Sequence, residues 1–296
     1  MQPTAHTQGK HMPVTRPAPI TRKQVAAFLK PRPKDSHKGL FGTVTVIGGS
    51  TGMVGAALLA GRASLKMGAG CVHVGMLADN APEVDVTLPE LMLHTAADAL
   101  KSTKPNVAIV GCGLGKSLPA QKLLYDALLL NVSLVLDADA LNIIAMRPDL
   151  RGMLHTRKAP TVLTPHPGEA AHLLACSTEE VQKDRVAAVH ELAKRLSGSV
   201  VLKGAGSLCA TSDGKLHLNQ TGNPGMSSAG MGDVLSGIIA ALIAQGLSAD
   251  EALLLGVHLH GAAGDELAHQ QATLGMSATE VIEWARWLLN RWSLKP

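Results

Sequence analysis

The chain has 296 residues, 46% hydrophobic and 17% charged, with 30 glycines, which suits an enzyme of one large domain, two small domains being the alternative. Its net charge of +4 favours an anionic ligand, but no long Lys/Arg run offers a groove for a polyanion and a 2% aromatic content is poor material for stacking bases, which argues against a nucleic-acid partner. Cys71, Cys112, Cys176 and Cys209 stand far apart without a Cys-x-x-Cys pair, no signal peptide is visible, and the longest apolar runs are too short for a bilayer, so a reduced, cytoplasmic protein away from the membrane is expected.

Residues 1–20 mix Pro, Thr, His and Gln without hydrophobic period and read as a disordered lead, leaving 21–296 as a single domain. A short helix is expected over 21–29 and a strand over 44–47. Gly48-Gly-Ser-Thr-Gly-Met-Val-Gly55 follows, then a helix to about residue 67, a stop at Gly68-Ala-Gly70 and a strand over 71–76. This is a βαβ unit whose glycines sit at its first turn, with Asp79 where a ribose-binding acid would lie, yet the spacing is wrong for Gly-x-Gly-x-x-Gly. The pattern repeats: a strand over 107–110 enters Gly111-Cys-Gly-Leu-Gly115, a helix starts at Pro119, and a strand over 134–136 enters Asp137-Ala-Asp-Ala-Leu-Asn142. In a parallel sheet such loops gather along the edge formed by the strand C-termini and share one crevice.

A strand over 161–163 runs into Thr164-Pro-His-Pro-Gly-Glu169, where two prolines are expected to hold His166 in a rigid, extended loop facing a ligand; a loop-bracing histidine bonded to backbone is the alternative. Ser177/Glu180, Ser248/Glu251 and Ser277/Glu280 have capping-box spacing and are structural. Residues 199–202 read as a strand ending in Lys203-Gly-Ala-Gly-Ser207, and 207–219 as an antiparallel hairpin. His258 and His260 lie two apart on a helix and point in different directions, so no protein-built zinc or other metal cage is expected. Val281, Ala285, Leu288 and Trp292 form a packing stripe.

The chain's centre of organisation is Gly222-Asn-Pro-Gly-Met-Ser-Ser-Ala-Gly-Met-Gly-Asp233, which feeds the apolar run 234–244. A glycine loop opening a buried helix leaves free N–H groups at the positive end of the helix dipole, where an anion can accept them. Gly230, Met231 and Gly232 would form this anion hole. Asp233 repels an anion unless it has a task such as accepting a proton; otherwise it is an acidic first-turn residue.

Taken together, Gly42-Thr-Val-Thr-Val-Ile-Gly-Gly-Ser50, Gly55-Ala56, Leu136-Asp-Ala-Asp-Ala-Leu-Asn142, Thr164-Pro-His-Pro-Gly-Glu169, Lys203-Gly-Ala-Gly206 and the 222–233 loop make the chain, from about Lys38 to Ala268, resemble the ADP/ATP-dependent NAD(P)H-hydrate dehydratases of the ribokinase-like superfamily. Gly111-Cys-Gly-Leu-Gly115 departs from a common Gly-Pro-Gly-Leu-Gly run at Cys112. The resemblance implies an α/β fold with a central, mostly parallel sheet flanked by helices. It also implies a lyase of metabolite repair, which phosphorylates the ring hydroxyl of the S epimer of hydrated NADH or NADPH (NADHX, NADPHX) and eliminates phosphate, at the expense of ADP or, less in keeping with a single-domain form, ATP. By resemblance Ala56, Gly115, His166 and Asp233 face the hydrate, Asp233 being the catalytic base. Lys203, Gly204, Ala205, Gly206, Ser207 and Gly232 hold the nucleotide, while Asp137, Asn142, Glu169 and Asn223 support the site. Mg²⁺ would ride on the nucleotide phosphates rather than in a protein cage. A homotetramer, and an epimerase acting upstream as a separate protein, are also implied. A ribokinase-like kinase of a vitamin precursor or sugar, and a non-catalytic dinucleotide-binding protein, are the rival readings.

Overall fold

The computed structural model describes residues 16–294 other than 272. Among them, one sheet contains β1 (Ala18–Pro19), β2 (Thr43–Gly48), β3 (Cys71–Met76), β4 (Met92–Thr95), β5 (Val107–Val110), β6 (Ser133–Leu136), β7 (Thr161–Leu163), β8 (Ser199–Leu202), β9 (Leu208–Ala210) and β10 (Leu216–Leu218). Their order is β1-β10-β9-β8-β7-β6-β5-β2-β3-β4. From β8 to β4 every neighbouring pair is parallel, as a chain of βαβ crossovers requires, while β9 is antiparallel to both β8 and β10, giving the expected hairpin. The chain leaves β2 toward β3 and β4, then returns to lay β5 on the other flank of β2, so the switch point of the sheet lies between β2 and β5.

The expected strands are buried on both faces, and strict alternation sends their side chains to two cores. Val44, Val46, Val72, Val74, Ile109, Val135, Val162 and Val201 face the helices Val54–Lys66, Met231–Ala244, Ala249–Gln270 and Ala278–Leu294. Ala108, Val110, Leu134, Leu136, Leu163, Val200 and Leu202 face the helices on the opposite side, among them Leu118–Leu129, Ala138–Met146 and Arg185–Leu196. Helix Met231–Ala244 is the most enclosed: Val234, Leu235, Ile238, Ile239, Leu242 and Ile243 are all buried, each contributing roughly 1.5–3 kcal/mol by leaving water. Gly237 lets it close on helix Val54–Lys66, because a Cβ there would collide with the Ala60 carbonyl. Burial on all sides thus fixes where this helix begins, at the C-terminal edge of the sheet.

Capping boxes form at Ser177/Glu180 and Ser248/Glu251, and reciprocal bonds join Ser277 and Glu280. The short N-terminal helix spans Arg22–Ala26 after Thr21, less than the expected 21–29. The 1–20 lead lies outside the described residues as far as residue 15, and its remainder corrects the expectation of disorder. Ala18 and Pro19 pair in parallel with His217 and Leu218, Ile20 N–H donates to the Leu218 carbonyl at 2.9 Å, and Ile20 is buried. Proline is tolerated here because β1 is an edge strand. β4 and helix Ala96–Ser102 were not anticipated: Met92–Thr95 is an exposed edge strand with little hydrophobic signal. Among the described residues no helix is long and apolar enough to cross a membrane.

Candidate active site

The loops that follow β5, β6 and β8 meet the first turn of helix Met231–Ala244, and the loops after β2 and β7 bond to them through Gly49 and Ser50 and through Pro165. The loop after β5 is locked between its neighbours: Cys112 O accepts Gly49 N–H at 3.0 Å, Gly113 O accepts Ser50 N–H at 2.6 Å, and Gly115 N–H donates to Asp139 Oδ2 at 2.8 Å. Gly111, at φ +127°, lies so close to the Asp137 carbonyl that any Cβ would collide with it. Ala56, on the first turn of helix Val54–Lys66, faces this loop at Gly113.

Asp137 follows β6 and caps helix Ala138–Met146, its Oδ1 accepting Ala138 N–H at 2.9 Å. The same carboxylate accepts Lys203 Nζ at 2.9 Å on Oδ1 and Ser236 Oγ–H at 2.9 Å on Oδ2. Burial alone would raise its pKa, but Lys203, with the hydroxyls of Thr164 and Ser236, holds it below the usual carboxylate value. Burial likewise opposes the charge of Lys203, and Asp137 and Glu169 outweigh this and keep it an ammonium.

Gly230, at φ +88°, precedes the helix without any side-chain cap. The N–H groups of Met231, Gly232 and Asp233 have no acceptor among the described residues, so the helix opens with bare donors. A Cβ on Gly232 would sit 3.1 Å from Lys203 Nζ and 3.5 Å from Asp137 Oδ2, which places the lysine ammonium at the positive end of the dipole. A cation is unfavourable there by itself, and an anion between the two would be held by both. Beside it, ligand atoms of Asp233, Asp137 and Cys112 lie within 4.8 Å of one another. Burial, and then the Asp137 charge, push the Asp233 carboxyl up to about 7, against the opposing pull of the Cys112 thiol and Lys203.

This cluster is a poor cage for a hard divalent ion. The oxygens of Asp137 are engaged by Ala138, Lys203 and Ser236, and burial followed by the Asp233 charge pushes the Cys112 thiol well up, so that it keeps its proton. The donor set therefore fits Mg²⁺ carried on phosphate oxygens better than Mg²⁺ bound by side chains alone.

His166 takes the alternative role, a histidine bonded to backbone, but at a helix start rather than within a loop. Its backbone is extended, but Pro167 opens helix Pro167–Leu174, and the imidazole is the cap: Nδ1 accepts the N–H groups of Gly168 at 3.0 Å and Glu169 at 3.3 Å. Glu169 Oε2 accepts His166 N–H at 2.9 Å, completing a capping box with histidine in the place usually taken by Ser or Thr. Accepting two N–H groups leaves the ring proton on Nε2, 3.2 Å from Glu169 Oε1. Burial and the nearby Lys203 charge lower the His166 pKa, so the ring is neutral near pH 7. The side chain is nevertheless 55% exposed.

Asn142 donates to the Ala138 carbonyl at 3.2 Å and pairs with His172 at 3.0 Å, bracing two helices. Asn223 Oδ1 accepts Gly225 N–H at 3.0 Å, and its Nδ2 donates to Asp265 Oδ1 at 3.1 Å. Asp265, which the sequence reading missed, also accepts Gly222 N–H at 2.8 Å and so anchors the 222–226 loop. Ser236 and Arg185 were missed as well. Asp79 lines a cavity with Met76, Thr95, Lys101 and Lys122, away from any bond to the cluster. His258 Nδ1 pairs with Asn219 Oδ1 at 3.2 Å, and burial lowers His260 to about 4, which leaves its ring neutral near pH 7.

Comparison with known proteins agrees with this geometry. A family profile described as NAD(P)H-hydrate dehydratase matches residues 44–286. The ADP-dependent (S)-NAD(P)H-hydrate dehydratase of Neisseria meningitidis is 44% identical over 266 residues, covering 88% of this chain and 90% of that protein. A bifunctional NAD(P)H-hydrate repair enzyme of Coxiella burnetii is 42% identical over 90% of this chain, which spans 54% of that longer protein. Among solved structures, the ADP/ATP-dependent NAD(P)H-hydrate dehydratase of Bacillus subtilis, co-crystallised with ATP and Mg²⁺, superposes with a TM-score of 0.83 at 30% identity, covering 93% of this chain and 98% of that one. With the sheet order, the open helix end and the matched span all in agreement, the chain belongs to the NAD(P)H-hydrate dehydratase family.

Proposed function

We propose that this protein restores NADH and NADPH from the S epimers of their hydrates, consuming ADP to AMP and phosphate. The observation that carries the reading is the meeting of Lys203 and Asp233 at the bare N-terminus of helix Met231–Ala244. One group attracts a phosphate and the other can take a proton, and the transfer of a phosphoryl group to an alcohol requires both.

In the first step Asp233 takes the proton of the ring hydroxyl as its oxygen attacks the terminal phosphorus of ADP. The new O–P bond forms as the bond to the AMP oxygen breaks. A carboxyl poised near 7 suits this task, being partly ionised at neutral pH and still basic enough to hold the proton. The N–H groups of Met231 and Gly232, with Lys203, bear the charge of the transferred group. In the second step the C–O bond breaks, phosphate leaves with the bonding pair, and loss of a proton from the neighbouring carbon restores the ring double bond. Mg²⁺ bound to the phosphates would neutralise part of their charge.

On this reading Ala56, Gly115 and His166 face the hydrate and 203–207 face the nucleotide. Asp137, Asn142, Glu169 and Asn223 hold these groups in place. A cytoplasmic homotetramer working beside a separate epimerase is part of the same proposal. The test is incubation with NADHX, Mg²⁺ and either ADP or ATP, following the absorbance of NADH and the release of phosphate. A stable phosphoester without NADH would assign the site to a kinase, and tight binding of both ligands without turnover would assign it to a binding protein.

A further inference from the structure

The loop 203–207 has one face saturated and the other bare. Arg185, the first residue of helix Arg185–Leu196, reaches behind it: Nη1 donates to the Ala205 carbonyl at 2.6 Å, and Nη2 to the carbonyls of Leu202 at 3.2 Å and Lys203 at 3.3 Å. Ser207 Oγ–H donates to the intervening Gly204 carbonyl at 3.0 Å. By contrast, the N–H groups of Gly204, Ala205, Gly206 and Ser207 meet no acceptor among the described residues. Gly204 makes the approach possible, since a Cβ there would stand 3.0 Å from Nη2 and its φ is +139°. Successive N–H groups presented in this way form a concavity for an anion. A cation behind the peptide groups polarises them in the same sense.

Arg185 Nε is buried without an acceptor among the described residues, as is Arg151 Nε. Three of the four remaining N–H donors of Arg185 go to the carbonyls of Leu202, Lys203 and Ala205, so most of its hydrogen bonding is directed at the loop backbone.

We propose that Arg185 is a positioning residue for the nucleotide: by holding the carbonyls of Leu202, Lys203 and Ala205 it fixes the loop with its N–H groups turned toward the phosphates. The inference rests on the reading of 203–207 as the nucleotide loop. Arg185→Lys keeps the charge but cannot fork across three carbonyls, and Arg185→Met removes the charge as well.

The experiment measures ADP binding by calorimetry for the parent and both variants, together with KM for ADP, KM for the hydrate, and kcat. Loss of charged hydrogen bonds behind the loop should raise Kd and KM for ADP about tenfold in Arg185→Lys and further in Arg185→Met, with hydrate KM and kcat at saturating ADP changed by less than about twofold. A folded Lys variant with parental ADP affinity overturns the role of Arg185, as does equal weakening toward both substrates. In the parent alone, ADP should slow deuterium exchange of the amides in 203–207 and leave the 112–115 loop unchanged, and no slowing overturns the proposal even if both variants misfold. A parent that binds neither ADP nor ATP removes the nucleotide reading and this inference with it, whereas a parent that binds and variants that match it remove this inference alone.

Discussion

Lys203 Nζ stands 2.9 Å from Asp137 Oδ1 and would be 3.1 Å from a Cβ on Gly232, so one ion pair lies across the open end of helix Met231–Ala244. Its lysine side chain is 21% exposed and its aspartate 2%, so the pair is nearly enclosed. Removing the lysine leaves the Asp137 charge with almost no route to water. Lys203→Met should therefore destabilise the fold by about 3–5 kcal/mol and abolish nucleotide use. Asp137→Asn combined with Lys203→Met should recover much of that stability without recovering activity. Urea unfolding of the single and double variants checks both statements, and additive losses would show that the two residues act independently.

The raised pKa of Asp233 gives two signs that can be measured separately. The proposed base must be ionised to work, so kcat/KM for the hydrate should rise with pH along an acid limb centred near 7. Stability runs the other way. Between the ordinary value of 3.8 and about 7 the folded protein keeps a proton that the unfolded chain has lost, so this carboxyl makes stability fall as pH rises through that window. Asp233→Asn should flatten that part of the stability profile, and an unchanged slope would show that Asp233 titrates normally.

Much of the fold was legible because both faces of the central strands are buried: runs such as Val107–Val110 and Ser199–Leu202 carry an apolar signal strong enough to survive without tertiary information. The loops gathered as expected for the same reason, since a parallel sheet puts every strand C-terminus on one edge. What escaped was carried by polar contacts between distant residues. Asp265 serves Gly222 across 43 positions, and Arg185 reaches carbonyls 17 to 20 positions away, and neither pairing leaves a local pattern. His166 was legible as a residue that braces backbone, but its role as a helix cap escaped: Pro167 and Glu169 signal a helix start, while histidine is outside the usual set of capping residues. At the other end of the chain, Pro19 hid an edge strand that needs no donor from it.

Cys112 replaces a proline common in the resembled loop, and it brings a donor that proline lacks. Burial and the neighbouring carboxylates keep the thiol protonated, and its hydrogen bond favours the ionised form of Asp233. Cys112→Ala should therefore move the acid limb of kcat/KM upward by about half to one pH unit, while Cys112→Ser, which keeps a donor, should move it little. Superimposable pH profiles for all three proteins would remove the thiol from any influence on the base.

Asp233 itself separates two readings by magnitude. As a first-turn residue it contributes less than about 1 kcal/mol through the helix dipole, and Asp233→Asn would then cost little activity. As the general base its loss should lower kcat on the order of 10² to 10⁴. ADP affinity should hold or improve, because a negative charge beside the phosphates is removed. A folded variant that binds ADP and turns over within a few-fold of the parent would confine Asp233 to its helix turn.

His166 has two roles that a single alanine variant confounds. Nδ1 accepts the first free N–H groups of helix Pro167–Leu174, so His166→Ala removes a cap and should cost about 1 kcal/mol of stability, whatever the residue does for a ligand. Asparagine is itself a favoured cap, and its side-chain oxygen can accept the same N–H groups. His166→Asn should therefore keep the melting temperature close to that of the parent while removing the exposed ring edge. If that edge meets the hydrate, the Asn variant should show a raised KM for the hydrate with kcat and nucleotide KM little changed, the pattern of lost uniform binding. Thermal melts and the two KM values together divide the roles: a stable Asn variant with parental hydrate KM would make His166 a cap alone, and one with a raised nucleotide KM instead would move the loop to the other side of the crevice.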